Sequence, residues 1–436
     1  MSWKDIYNQK LVSAEEALKH VGNGNRIVVG HAMAEPSYLL REMVRLKDNY
    51  LGLQVCSMVP AEAPYAGEHL SKHMRLNSLF LGGSTRKAVE NNEADFTPCF
   101  FSEVPNTFSC GALPADVAMI MVSKPDKHGY CSFGISVDFT KTVAEFAKVV
   151  IAQVNENMPR THGNTFIHVS DIDFIVEHNE PLIELPRPKI TEVEEKIGKN
   201  CASLINDGDC LQLGIGAIPD AVLMFLTDKK DLGIHSEIIS DGVMHLMKNG
   251  NINNKAKNFH NRRAVVTFLM GTKEFYDFVD DNPEFELLSV DYVNDPRVIA
   301  QNDNMVCINS CIEVDLMGQV VSSSIGLRQF SGVGGQVDFV RGAAWSKGGR
   351  SIIAMPSTAK GKFSKIKPFI TEGATVTTSL NDVEYIVTEY GIAKLKGMSL
   401  RQRAESLINI AHPDFRPELA EEYERRFDHK LDYKKD

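Results

Sequence analysis

The chain has 436 residues, 43% hydrophobic and 24% charged, with a formal net charge of −10, so it is long enough for two or three well-buried domains. Its basic residues are dispersed, no apolar run reaches the roughly 18–20 residues of a membrane span, and Met1-Ser-Trp-Lys-Asp-Ile-Tyr lacks a signal-peptide core, which argues against nucleic-acid and membrane partners and for a cytoplasmic location. Eight scattered cysteines, among which only Cys307-x-x-x-Cys311 approaches metal spacing, and thirteen histidines without a His-Glu-x-x-His pattern predict reduced core thiols and no metal site.

Ser13-Ala-Glu-Glu-Ala-Leu-Lys-His20 predicts a capped amphipathic helix, with Glu16 three residues after Ser13. It leads through Gly24 into the apolar run Ile27-Val-Val-Gly30-His-Ala-Met-Ala-Glu-Pro36. The uninterrupted apolar runs Val117–Val122 and Val149–Val154 predict strands buried on both faces. Three prolines within Pro181–Pro188 then remove backbone donors and suit an extended linker. They place a domain boundary between 1–185 and 186–436.

Beyond the linker the pattern returns about 184 residues downstream. Thr191-Glu-Val-Glu-Glu195 opens a helix reaching Asn206, and Gly208-Asp-Cys-Leu211-Gln-Leu-Gly214-Ile-Gly-Ala-Ile-Pro219 follows. Both halves read helix, turn glycine, buried strand, glycine-bearing loop, then a proline suited to a first helical turn. Apolar runs at Ala264–Phe268, Ser351–Met355 and Tyr385–Thr388 complete an expectation of two tandem, duplicated α/β domains.

Gly214-Ile-Gly216-Ala-Ile-Pro219 departs from a dinucleotide-binding fingerprint because Pro219 stands where a third glycine is required, and it lacks the Gly-Lys-Ser/Thr of a P-loop. Two readings remain: a tight strand-to-helix connection, or backbone N–H groups at a helix start aimed at an anion or oxyanion. Gly233-Ile-His-Ser-Glu237 next predicts a short buried strand that leaves Glu237 beside a turn. Alone, such a carboxylate reads as a solvated surface group. Gly332-Val-Gly-Gly335-Gln336 suits either close approach to a ligand or a plain hairpin.

In combination, Gln212–Pro219, Gly233–Glu237, Gly334-Gly-Gln-Val-Asp-Phe339-Val-Arg-Gly-Ala343, Val387-Thr-Glu-Tyr-Gly391 and Ile410-Ala-His-Pro-Asp-Phe415, with Pro125–Tyr130 and Asn155–Pro159 in the first half, resemble the acetyl-CoA hydrolase/transferase family of coenzyme A transferases. The resemblance runs from about residue 3 to about residue 428. Thr267–Lys273 and Ser236–Gly242 lean toward the family's 4-hydroxybutyrate branch rather than its butyryl-CoA:acetate branch. It implies CoA-transferase domains of the NagB/RpiA-like type, the acid pocket on the 1–185 side and the catalytic glutamate and CoA loops on the 186–436 side. Glu237 falls on the glutamate that attacks the acyl-CoA thioester and later carries CoA. Gly214, Ile215, Gly216, Ala217 and Ile218 fall on a loop lining the CoA site; Gly332, Gly334, Gly335 and Gln336 fall on a second, and Lys360 near the nucleotide end. Leu380 stands where many relatives carry arginine. Met33-Ala-Glu-Pro36 is a candidate for the acid pocket.

What this implies is CoA exchange between a short-chain acyl-CoA, best matched by 4-hydroxybutyryl-CoA, and acetate, with no tightly bound cofactor and a homodimer or larger homo-oligomer. Butyryl-CoA or propionyl-CoA as donor, and plain acyl-CoA hydrolysis, are the alternatives. A glutamate suits the relay because it is a carboxylate like both acids; with a reference pKa of about 4.3 it is ionised at neutrality and needs no partner base.

Overall fold

The computed structural model describes residues 2–433, which divide into two compact units. The first comprises the chain up to Pro186 together with Val265–Val293; the second comprises Arg187–Ala264 and the chain from Asn294 onward. The contiguous halves expected on either side of 185/186 differ from this division in one segment. Val265–Val293 folds into the first unit because its backbone completes hydrogen bonds there: Leu269 N–H donates to the Ile135 carbonyl (2.8 Å) and Val137 N–H to the Thr267 carbonyl (3.2 Å).

The first unit is built on seven parallel strands, β1 (Arg26–Val29), β2 (Leu53–Met58), β3 (Met74–Phe80), β4 (Ala94–Phe96), β5 (Val117–Val122), β6 (Val149–Val154) and β7 (Phe174–Glu177), in the order β4-β3-β2-β1-β5-β6-β7. The two apolar runs read as strands are β5 and β6, and every residue of β5 is buried, as a strand covered on both faces must be. The helix expected at Ser13 is α1 (Ala14–Leu18): Ser13 Oγ accepts from Glu16 N–H, while the Glu16 carboxylate turns outward to Lys19. Residues 178–191, the proline-rich stretch included, hold neither helix nor strand.

The second unit repeats the plan with six strands, β8 (Cys210–Gln212), β9 (Gly233–Ile234), β10 (Met305–Ser310), β11 (Arg350–Ala354), β12 (Tyr385–Thr388) and β13 (Gly391–Lys394), in the order β9-β8-β10-β11-β12-β13. All neighbours are parallel except the last, antiparallel pair. In each unit the chain runs outward on one side of its first strand, then returns to that strand's other flank. These reversals, between β1 and β5 and between β8 and β10, open crevices beyond the strands' carboxyl ends, where open α/β sheets take ligands. The connections after β1 and β8 are helix-forming glycine loops leading to α2 (Ser37–Arg45) and α5 (Ala217–Met224). Between them lie α3 (Thr140–Phe146) and α4 (Glu192–Ala202), the latter opened by a reciprocal Thr191/Glu194 capping box.

At the carboxyl end of β1 sits a buried polar knot. His31 Nδ1 lies 3.1 Å from Asp138 Oδ2 and 3.2 Å from Ser136 Oγ, and Asp138 Oδ1 accepts from the Phe139 and Thr140 amides at the start of α3. The His31 ring is packed among Phe101, Phe139 and Phe268. Burial alone pushes the Asp138 carboxyl up, but His31, Ser136 and Thr140 outweigh it and hold it below its ordinary value. Its stabilising contribution is therefore complete above the usual carboxylate range and is lost as pH falls through the depressed value. Asp138→Ala is expected to cost about 3–5 kcal/mol, because it leaves His31 and two amides without their acceptor. A thermal melt at neutral pH should show a midpoint lower by on the order of 10 °C; an unchanged midpoint would show that the knot contributes nothing.

Candidate active site

The second unit's reversal brings together segments far apart in sequence. From β9 the chain continues through His235 and Ser236 to Glu237. His235 and Ser236 are fully buried and Glu237 half-buried. Ser236 Oγ accepts from Leu213 N–H (3.3 Å) and lies 2.7 Å from the Ile238 carbonyl, which takes its proton. Leu213 and Ile238 also form an antiparallel bridge. The hydroxyl thus ties the residue before the glycine loop to the residues on either side of Glu237.

Past that tie, the loop Gly214–Ile218 is half-buried throughout. Gly216 has φ 110° and ψ −174° and caps α5, a conformation open essentially to glycine alone. Its amides therefore sit at a helix start, as the oxyanion reading requires.

The Glu237 carboxylate is held from a second direction. Helix α7 (Gln336–Trp345) follows α6 (Asp241–Lys248) in the site's helical frame and takes Gly335 as its N-cap. A Cβ placed on Gly335 would lie 2.0 Å from Glu237 Oε2 and 2.3 Å from Asn294 Nδ2. No side chain fits there, so glycine at 335 is a condition of the arrangement. Asn294, fully buried, donates from Nδ2 to Glu237 Oε2 at 2.7 Å. Hydrogen bonds to a carboxylate are about twice as strong as neutral ones, and the positive end of α7 favours an anion at this place by about 0.3–1 kcal/mol. The result is a carboxylate fixed in orientation.

Of the residues singled out in the sequence, Glu237 and Gly335 are in direct apposition. Gln336 is buried and donates from Nε2 to the Ser310 carbonyl (3.2 Å) at the end of β10, and Gly332 and Gly334 are buried in the preceding loop. Lys360 is elsewhere. It occupies an exposed hairpin turn with φ 54° and lines a cavity of about 570 Å³ with Thr191, Lys196, Glu389, Tyr390 and His412, none of which belongs to the Glu237 cluster. The Leu380 carbonyl accepts from Nη1 of Arg403 (2.6 Å), a nearly buried guanidinium that also donates to the Met317 carbonyl (3.3 Å). Nearby thiols are poor nucleophiles: burial pushes Cys210 up to about 11 and Cys307 up to about 12.

Asn294 and Ser236 escaped the sequence reading. Asn294 precedes Asp295-Pro296, which reads as a helix start and forms one; nothing in that pattern points 57 residues back to Glu237.

The family model of the acetyl-CoA hydrolase/transferase N-terminal domain matches residues 1–185, and that of the C-terminal domain matches 271–423. The 4-hydroxybutyrate coenzyme A transferase of Clostridium kluyveri is 62% identical over 98% of this chain and 100% of its own. Among solved structures, RipA from Yersinia pestis superposes with a TM-score of 0.93 at 38% identity, covering 98% of this chain and 99% of that one. The 4-hydroxybutyrate CoA-transferase of Porphyromonas gingivalis does so with a TM-score of 0.85 at 46% identity, covering 98% and 100%.

The contact between Asn294 and Glu237 has a consequence independent of any reaction. Asn294→Asp places two carboxylates within hydrogen-bonding distance, so the pair retains a proton well above the usual range. The variant should lose stability relative to the parent as pH rises from about 4 to about 8, by roughly 3 kcal/mol for a two-unit shift. Parallel melting-temperature profiles for the two proteins would contradict the contact.

Proposed function

The chain belongs to the acetyl-CoA hydrolase/transferase family and is a CoA-transferase, and we propose that it moves CoA between 4-hydroxybutyryl-CoA and acetate through a glutamyl-CoA thioester on Glu237. The observation that carries this reading is the Glu237 carboxylate, held at Oε2 by Asn294 against Gly335 at the start of α7. The choice of acid rests on the 62% identity to the Clostridium kluyveri enzyme.

Four attacks complete the exchange. Glu237 attacks the thioester carbonyl of the donor; the C–S bond breaks, giving an acyl-glutamyl anhydride and CoA thiolate. The thiolate attacks the glutamyl carbonyl of the anhydride, forming the enzyme thioester and expelling the first acid as its carboxylate. Acetate then attacks that thioester, regenerating anhydride and thiolate. The thiolate finally attacks the acetyl carbonyl, releasing acetyl-CoA and restoring the Glu237 carboxylate. Protons balance without a general base, because each nucleophile and leaving group is already an anion.

Every step passes through a tetrahedral oxyanion, and one well-placed backbone donor lowers such a barrier by about 3–4 kcal/mol. In this reading the amides of Gly214, Ile215, Gly216, Ala217 and Ile218 supply that donor, while Gly332, Gly334, Gly335 and Gln336 accept the CoA tail. Lys360, on its exposed turn, serves the nucleotide end. Binding energy from the tail, remote from the reacting atoms, holds the thioester against Glu237. The anhydride survives only if water is kept from it.

Incubated with 4-hydroxybutyryl-CoA and no acceptor acid, the protein should gain the mass of CoA less one water, placed on Glu237 by peptide mapping. Adding acetate should discharge it as acetyl-CoA, and Glu237→Gln should form no adduct. An adduct-free wild-type protein that consumes acyl-CoA equally fast with and without acetate would instead be a hydrolase.

A further inference from the structure

The strand that delivers Glu237 has little to hold it in place by itself. β9 consists of Gly233 and Ile234 alone and forms the edge of its sheet. On its inner side it pairs with β8: Gly233 N–H donates to the Asp209 carbonyl (2.9 Å) and His235 N–H to the Leu211 carbonyl (3.1 Å). Ile234, between them, turns both of its backbone groups the other way, as alternate residues of a strand do. It is fully buried, so those two outward groups must find partners that are neither water nor a further strand.

Two side chains from residues 252–263 supply them. Leu232 and Ile252 form a single parallel bridge, and past it the neighbouring chain leaves the register. Asn254, with φ 56°, then accepts from Ile234 N–H at Oδ1 (2.8 Å). Lys257 Nζ donates to the Ile234 carbonyl (2.8 Å) and to the Arg263 carbonyl (2.7 Å). Lys257 is 4% exposed, and its stem lies against Gly233: a Cβ at 233 would come within 2.5 Å of Lys257 Cγ and 2.8 Å of Cδ. The loop is itself held, since Asn261 Nδ2 donates to the Lys255 and Lys257 carbonyls (2.7 and 2.9 Å). Asn254, His260 and Arg262 all take left-handed backbone, a strain that persists where the surroundings over-determine it. Burying an ammonium is costly, and the backbone of one more strand would have closed Ile234 without that cost.

We propose that Lys257 is a positioning residue for Glu237: its ammonium clamps the Ile234 carbonyl and so fixes the peptide from which the Glu237 segment departs. The inference rests on the reading of Glu237 as the nucleophile. Each residue from the clamp to the carboxylate is held. Ile234 is held by Asn254 and Lys257, His235 by the Leu211 carbonyl, Ser236 through its hydroxyl, and the Glu237 carboxylate by Asn294. Without the ammonium the Ile234 carbonyl loses its donor from the loop, and relieving a buried acceptor means rotating the Ile234–His235 peptide. That rotation moves Glu237 without touching any group that binds substrate. A displacement of about 1 Å from near-attack geometry slows a reaction about a hundredfold.

Lys257→Met keeps the stem against Gly233 and removes the ammonium. Single-turnover formation of the glutamyl-CoA adduct from 4-hydroxybutyryl-CoA, followed by intact mass on the whole enzyme, reads rate and amplitude separately. The variant should form the adduct about a hundredfold more slowly, yet to the wild-type amplitude per chain. In the steady state kcat and kcat/KM should fall together. A wild-type rate, whatever the amplitude, would mean that Lys257 serves the fold alone and would overturn the proposal. Asn258→Ala loosens the same loop at the Gln301 carbonyl (2.8 Å) and leaves Ile234 alone, so it should keep the wild-type rate. Equal slowing there would assign the effect to the loop as a whole and overturn Lys257 as its agent. Should Lys257→Met fail to fold, Gly233→Ala drives the lysine stem aside and must give the same slow, complete adduct. Failure of the thioester route looks different: the wild-type protein then forms no adduct, whereas equally fast adducts in wild type and variant defeat Lys257 alone.

Discussion

The architecture of the second unit turns on one contact, a carboxylate oxygen of Glu237 lying where any side chain at position 335 would have to be. It makes glycine obligatory at the start of α7, brings the positive end of that helix to an anion, and leaves room for the Asn294 amide at 2.7 Å. In the proposed mechanism the fixed orientation matters, because the same carboxylate is nucleophile, anhydride and thioester in turn. A group that turned freely would lose the advantage of held geometry, which in intramolecular reactions amounts to about 7–11 kcal/mol of barrier.

That contact in turn depends on sheet topology. Glu237 comes from the end of β9, the glycine loop from the end of β8, and Gln336 reaches the end of β10. These three neighbouring strands flank the one place where the strand order reverses, so their connections diverge and leave a gap between them. Ser236 is the smallest part of this and the least replaceable, since its one hydroxyl links Leu213 to Ile238 across the residue that carries the carboxylate. An alanine there would remove only the hydroxyl and with it this acceptor for the Leu213 amide.

Much of this was legible from the residues. Uninterrupted apolar runs became β5 and β6, and the Thr191 signal became a capping box that opens α4. Local sequence carries such features because periodicity and capping act within a few residues. Glu237 itself was legible only through its company. Asn294 was not, since its local pattern announces a helix start and its partner lies 57 residues away. The return of Val265–Val293 to the first unit was equally hidden. An apolar strand such as Ala264–Phe268 records that it will be buried, but not which sheet or segment will bury it.

Two glutamates, Glu35 of the first unit and Glu237 of the second, show why burial alone does not assign chemistry. Glu35 is fully buried against the amides of Ala61, Glu62 and Ala63, and the cost of charging it there pushes its carboxyl up to about 7. Glu237 is only half-enclosed, and what faces it is an amide donor and a helix start. At Glu35 the cost of burial outweighs the amides that reach it, whereas the half-exposed Glu237 meets a donor with less of that cost. One fold produces both conditions from the same residue type, by choosing which polar groups reach the carboxylate.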